Sequence, residues 1–208
     1  SHIAIVLLSL RMTGFRPKAL TFFLLTAIAL ATSYFIEPIL DGNPGSLAAL
    51  CIVFCIYFLR QKKDWLAGIF LSLAAIKPQL AILFFALVWL WAFSQKRWNV
   101  LYSSFIMVGV LLGTSFLMLP GWLTEFIHQM AIYGQKYGAN SSAAVLQRVF
   151  PNVYRQLSLI LTIISAGLLV FEWVQLYRKD FAHFYWTFCI TTVLLPLTGI
   201  VFGNQNMS

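Results

Sequence analysis

The chain has 208 residues, 61% of them apolar and 10% charged, and its 14 Lys and Arg against 6 Asp and Glu leave a net charge of +8. A soluble domain is about 45–50% apolar and about a quarter charged, so a soluble globular protein is excluded, and so is a disordered chain, which needs sparse hydrophobicity and dense charge. Nucleic-acid binding would gather the basic residues on one polar surface; no nucleic-acid partner is expected, and the excess charge needs another cause.

A bilayer core of roughly 30 Å takes about 20 helical residues per crossing. Apolar runs of this kind recur at 1–10, where the run is partial, and at 19–36, 47–59, 66–76, 80–93, 99–119, 156–177 and 184–202. The pattern predicts an all-α, polytopic transmembrane helical bundle of about seven crossings plus the partial first one, as a single transmembrane domain over 1–208. Half a run precedes Arg11 and Ser208 falls just past another, so the expectation is an excised piece of a longer protein. Cys51, Cys55 and Cys189 lie within apolar runs and read as small core residues, not as a disulfide framework or metal cluster.

Ten of the fourteen basic residues fall in four groups: Arg11, Arg16 and Lys18; Arg60, Lys62 and Lys63; Lys96 and Arg97; Arg178 and Lys179. Lys and Arg concentrate in cytoplasmic loops, which puts these groups inside and leaves 37–46, the turn at Lys77, 120–155 and the C-terminal tail outside. The first outer segment carries Glu37-Pro38 and Asp41-Gly42-Asn43-Pro44. A proline and glycine turn with two carboxylates can hold acid or base groups near the membrane surface, or be an ordinary solvated turn.

Residues 64–95 admit two topologies. One helix over 66–93 would run about 42 Å and tilt steeply, whereas two arms meeting at Lys77-Pro78 would run roughly 20 and 24 Å. The hairpin is the preferred topology. It sends Trp65, Trp89, Trp91, Trp98, Trp173 and Trp186 toward the cytoplasmic boundary and Trp122 toward the outer one, as interfacial anchors. Lys77 is the most expensive residue in the chain, because a lysine within the apolar slab costs on the order of 2.5–3.5 kcal/mol on insertion scales. It either caps the carbonyl end of 66–76 or binds a phosphate carried by a membrane lipid.

In the outer stretch 120–155, Trp122, Phe126, Ile127, Met130, Ala131 and Tyr137 share a helical face opposed by Glu125, His128, Gln129 and Lys136. That spacing predicts an interfacial helix lying along the outer surface. Beyond it, Asn140-Ser141-Ser142 and Arg148 would offer hydroxyls and a guanidinium to sugar or phosphate, or simply cap a helix. Glu172 reads as structural, reaching the interface near Arg178. His2, His128 and His183 are isolated, no metal-ligand spacing is present, and neither metal nor cofactor is expected.

Taken together, Glu37-Pro38, Gly42-Asn43-Pro44 and Gly68 leading through Ala74-Ala75-Ile76 to Lys77-Pro78-Gln79 resemble glycosyltransferase family 87, over roughly residues 30–150. These are polytopic enzymes of the GT-C fold that include mycobacterial phosphatidylinositol mannoside mannosyltransferases. Ala139-Asn140-Ser141 with Arg148 downstream is similar to the family's Asn-Gln-Ser and arginine. The resemblance implies that a polyprenyl-phosphate sugar donates its sugar, mannose or another hexose or pentose, to a lipid or glycan acceptor hydroxyl with inversion. It implies a multi-pass protein of the bacterial plasma membrane whose site faces outward. Lys77 and Arg148 would then hold the donor phosphate, Glu37, Asp41, Asn43, Gln79, Asn140 and Ser141 would serve the acceptor or the outer loop, and the catalytic aspartate would lie upstream of Ser1. The rival is a lipid or solute transporter with Lys77 on the permeation path, which the single long helix would favour. A scaffold without chemistry would leave the cost of Lys77 unexplained.

Overall fold

The computed structural model describes residues 44–137 and 146–194, and besides them positions 5, 7, 9, 12 and 21–23. Among the described residues every regular element is helical. The longer ones are α1 (Gly45–Arg60), α2 (Asp64–Leu73) continued by a 3-10 turn at Ala74–Ile76, α3 (Pro78–Ser94), α4 (Trp98–Met118), α5 (Trp122–Tyr137), α6 (Tyr154–Gln175) and α7 (Phe181–Leu194). The expected runs from 47 to 119 and at 156–177 each fall on one helix with shifted ends. Most of 19–36, and whatever follows Leu194, lies outside the described residues.

Among the described residues two helices, α4 and α6, are long and apolar enough to cross a bilayer, and only 17% of the apolar window of each is buried within the protein. The core helix of a soluble protein would be mostly buried. Here Phe105, Ile106 and Val110 on α4, and Ile163, Val170 and Phe171 on α6, are exposed, which suits an apolar solvent. Hydroxyls in these helices turn back on their own backbone: Thr114 donates to the Val110 carbonyl at 2.8 Å and Ser115 to that of Leu111 at 2.8 Å. Such bonds satisfy polar groups where no water can.

The chain divides into two compact units, Ser1–Val108 and Gly109–Ser208. In the first, α1 and α2 are joined by the tight turn 61–63. Lys62 adopts a left-handed conformation, φ 58°, its N–H donating to the Leu59 carbonyl at 3.2 Å and that of Lys63 to Phe58 at 3.0 Å. This is the Schellman pattern, which ties off the carbonyls at a helix end. The same closure ends α3: Lys96 has φ 56°, its N–H reaches the Phe93 carbonyl at 3.1 Å, and that of Arg97 reaches Ala92 at 2.8 Å. Glycine ordinarily takes that position, because a side chain there costs about 1 kcal/mol.

Arg97 fastens the two turns together. It forms an ion pair with Asp64, its Nη2 donates to the Leu59 carbonyl at 3.0 Å, and its guanidinium lies over the Trp91 ring at 5.1 Å. Residues 64 and 97 would stand about 50 Å apart in one continuous helix. The chain therefore reverses between them, as the hairpin topology expects. At mid-length α2 meets α4 through small residues. Ser72 Oγ donates to the Ser104 carbonyl at 2.9 Å, and Trp89 Nε1 on α3 donates to Ser104 Oγ at 3.0 Å. Phe70 packs between Phe54 and Phe58 of α1, with ring centroids at 4.9 and 5.4 Å.

In the second unit α6 and α7 form a helical pair across a turn in which Arg178 is left-handed, φ 60°. Asp180 caps α7, accepting the His183 N–H at 3.2 Å. Trp173 Nε1 on α6 donates to Thr191 Oγ1 at 3.1 Å. The tryptophans thus divide. Trp65, Trp98 and Trp186 are exposed as anchors should be, whereas Trp91 is buried under Arg97, and Trp89 and Trp173 spend their indole N–H on neighbouring helices. An indole inside a bundle needs such a partner, and the sequence pattern does not say which tryptophans have one.

Candidate functional site

Lys77 stands at the turn where α2 ends and α3 begins. A residue before proline is pushed to extended backbone, and Lys77 has φ −127° and ψ 82°. The helix tightens into the 3-10 turn 74–76 and stops, with the Lys77 N–H on the Ala74 carbonyl at 3.2 Å. Pro78 then opens α3 at its first position, where its missing N–H costs nothing and its fixed φ suits the helix. The Lys77 carbonyl accepts the Ala81 N–H at 3.1 Å and closes the first turn.

Lys77 is half-buried, beside the buried Ala74 and the exposed Ile76. It lies between the carbonyl end of α2 and the amide end of α3. The first turn of α3 contains no acidic residue and receives no side-chain cap. The opening amides of α3 thus follow directly on a lysine in the sequence, and a helix start of this kind favours negative charge.

The turn lies at the end of its unit opposite Arg97 and Asp64, since α2 runs away from that pair and α3 runs back to it. The 3-10 turn packs on α1, which is antiparallel to α2 and begins at this same end. Pro44 starts α1, accepting the Ala48 N–H at 2.9 Å. The start of α1, at Pro44 and Gly45, hence lies at the end that carries Lys77. Glu37, Asp41 and Asn43 themselves lie outside the described residues, as do Asn140 and Ser141; Gln79 is in the first turn of α3, its side chain likewise outside them. Arg148 is exposed on a short helical segment at 146–149 and belongs to the second unit. Pro120 and Gly121 separate α4 from α5, the helix expected in the outer stretch, where Trp122 lies near Phe116 at 5.6 Å and Phe126 at 6.2 Å between ring centroids.

Two features go beyond the sequence pattern. Glu172 is half-buried and lines a groove of about 380 Å³ with Leu168, Trp186, Cys189, Ile190 and Val193, while Arg178 lies against Tyr177. Gly68, quoted only for its likeness to a family motif, is a packing residue. A Cβ there would stand 2.5 Å from the Val100 carbonyl oxygen and 2.9 Å from the Ser104 nitrogen. The small-xxx-small spacing of Gly68 and Ser72, with the pair Ser103-Ser104, is the signal that could have found it.

The fold defines a helical protein with apolar, outward-facing helices, two of them among the described residues long and apolar enough to cross a membrane, and a helix break at Lys77-Pro78. The model of glycosyltransferase family 87 matches residues 2–202, and the chain belongs to that family. Comparison with curated proteins and with solved structures gave no match. Family membership makes this a glycosyltransferase, with a donor and an acceptor as its substrates.

Proposed function

We propose that the protein is a multi-pass enzyme of the bacterial plasma membrane that moves a sugar from a polyprenyl-phosphate donor to a lipid or glycan hydroxyl at the outer face. The observation that carries this is Lys77, a half-buried ammonium at a proline-opened helix start, at the end of the unit opposite Arg60, Lys62, Lys63, Lys96 and Arg97. If those basic turns face the cytoplasm, the Lys77 turn faces outward. The acceptor oxygen attacks the anomeric carbon from the side opposite the phosphate, so the configuration inverts. The bond to the phosphate oxygen breaks, a carboxylate takes the hydroxyl proton, and polyprenyl phosphate leaves with an added negative charge. Lys77 holds that charge as it grows, where positioned cations act most strongly. Glu37, Asp41, Asn43, Gln79, Asn140 and Ser141 serve the acceptor or the outer loop.

The test is transfer from a labelled polyprenyl-phosphate sugar by the full-length protein in native membranes. Lys77→Ala should lower the rate by about 10²–10³, the usual effect of removing one group that stabilises a developing anion, with Lys77→Arg retaining part of it. An unchanged rate in a normally inserted Lys77→Ala protein eliminates the role. The transporter reading drew its support from a single long helix through Pro78, and the Arg97–Asp64 pair removes that support.

A further inference from the structure

We propose that the two turns at the Arg97 end of the first unit form a binding site for the headgroup of an anionic phospholipid of the inner leaflet, separate from the sugar-transfer site. The turns 61–63 and 95–97 are distant in sequence and are brought together by Arg97, which spans from its own turn to Asp64 and the Leu59 carbonyl. Asp64 is the one carboxylate among the described residues of this unit, and Arg97 occupies it. Lys62, Lys63 and Lys96 remain exposed around the pair, on turns only a few residues long. Their charge has no acidic counterpart among those residues.

Three observations favour a lipid headgroup over a merely solvated loop. Lys62 and Lys96 hold the left-handed position where glycine would close the helix without strain. In both turns the closing position thus carries a cation in place of glycine, which sets two exposed ammonium groups on adjoining turns. Trp65 and Trp98 follow these turns and are 51% and 44% exposed, framing the lysines with rings suited to the headgroup level. Finally, α4 begins at this face with no acid in its first turn, so its opening amides add to the attraction for phosphate. Arg60 donates to the Met12 carbonyl at the same end, and the sequence around Met12 carries Arg11, Arg16 and Lys18.

The inference rests on the multi-pass reading with this end inside. It is tested by native mass spectrometry of the full-length protein in detergent, titrated with phosphatidylglycerol or with phosphatidylcholine of the same chains. Retained, selective phosphatidylglycerol is expected. Each lysine replaced by Gln should weaken it by about fivefold, the triple variant by roughly a hundredfold, and triple replacement by Arg should restore it. A separate Lys62→Gly, Lys96→Gly protein should melt no lower than wild type and still lose binding, because glycine suits the backbone and lacks the charge. Soluble glycerol phosphate should fail to compete; effective competition would make this a free-phosphate site and overturn the lipid assignment. Equal retention of both lipids, or unchanged phosphatidylglycerol binding in the Gln variant, overturns the proposal and leaves the multi-pass reading standing. Retention of neither lipid overturns the proposal likewise, and the multi-pass reading is then decided by the labelling of cysteines on the two faces.

Discussion

Replacing Gly68 with alanine should separate α2 from α4. The new Cβ would sit 2.5 Å from the Val100 carbonyl oxygen and 2.9 Å from the Ser104 nitrogen, whereas ordinary contact begins at 3.4 Å. Both neighbours are backbone, so neither can rotate aside, and the helices must part by about 0.9 Å to reach ordinary contact. The Ser72 hydrogen bond to the Ser104 carbonyl, now 2.9 Å, would stretch beyond useful length. Overpacking of this kind costs about 1–3 kcal/mol, a lost interhelical bond in a membrane about 0.6 kcal/mol, and the better helix propensity of alanine returns about 1 kcal/mol. The net expectation is a loss of about 1.6 kcal/mol, a factor of roughly fifteen in the folding equilibrium. Equilibrium unfolding of the full-length protein in mixed micelles measures it. Ser103→Gly in the same chain removes the Ser103 Oγ conflict and leaves the two backbone ones, so rescue should be partial. A Gly68→Ala protein as stable as wild type would refute the close approach.

Arg97→Gln removes an ion pair, a carbonyl hydrogen bond and a guanidinium–indole contact from a partly exposed site, and should cost about 2 kcal/mol in the same unfolding assay. Paired with Asp64→Asn it should show less than additive loss; full additivity would mean that the two side chains act independently. For topology, a cysteine at Lys96 should resist an impermeant maleimide in intact cells and react after permeabilisation, while one at Ile76, which is exposed beside Lys77, should react from outside. The reverse pattern would turn the whole assignment of faces over. Lys77→Ala should show its loss in the transfer rate and not in the unfolding midpoint, because Pro78 and the 3-10 turn, not the lysine side chain, set the break.

Composition and periodicity were enough to determine that this chain is helical and apolar outward, because a helix satisfies its own backbone and leaves side chains to match the solvent. Lys77-Pro78 announced its break by local chemistry alone, since proline constrains the residue before it wherever it occurs. Pro120-Gly121 and Asp180 likewise mark a helix end and a helix start through groups within a few residues. Direction at the break was a different matter. A kinked helix and a hairpin share nearly the same local pattern, and contacts such as that of Arg97 with Asp64, 33 positions away, distinguish them. The roles of Trp89, Trp91 and Trp173 were hidden for the same reason: an indole at a membrane boundary and an indole bonded across a helix interface look alike until the neighbouring helix is in place. Gly68 and Glu172 also acquire their meaning from neighbours distant in sequence, one from a backbone that leaves no room for a methyl group, the other from the groove that it lines with α7. Local structure follows from forces that act within a helical turn, whereas partnership between helices depends on how surfaces fit, and that is settled only when the chain has packed.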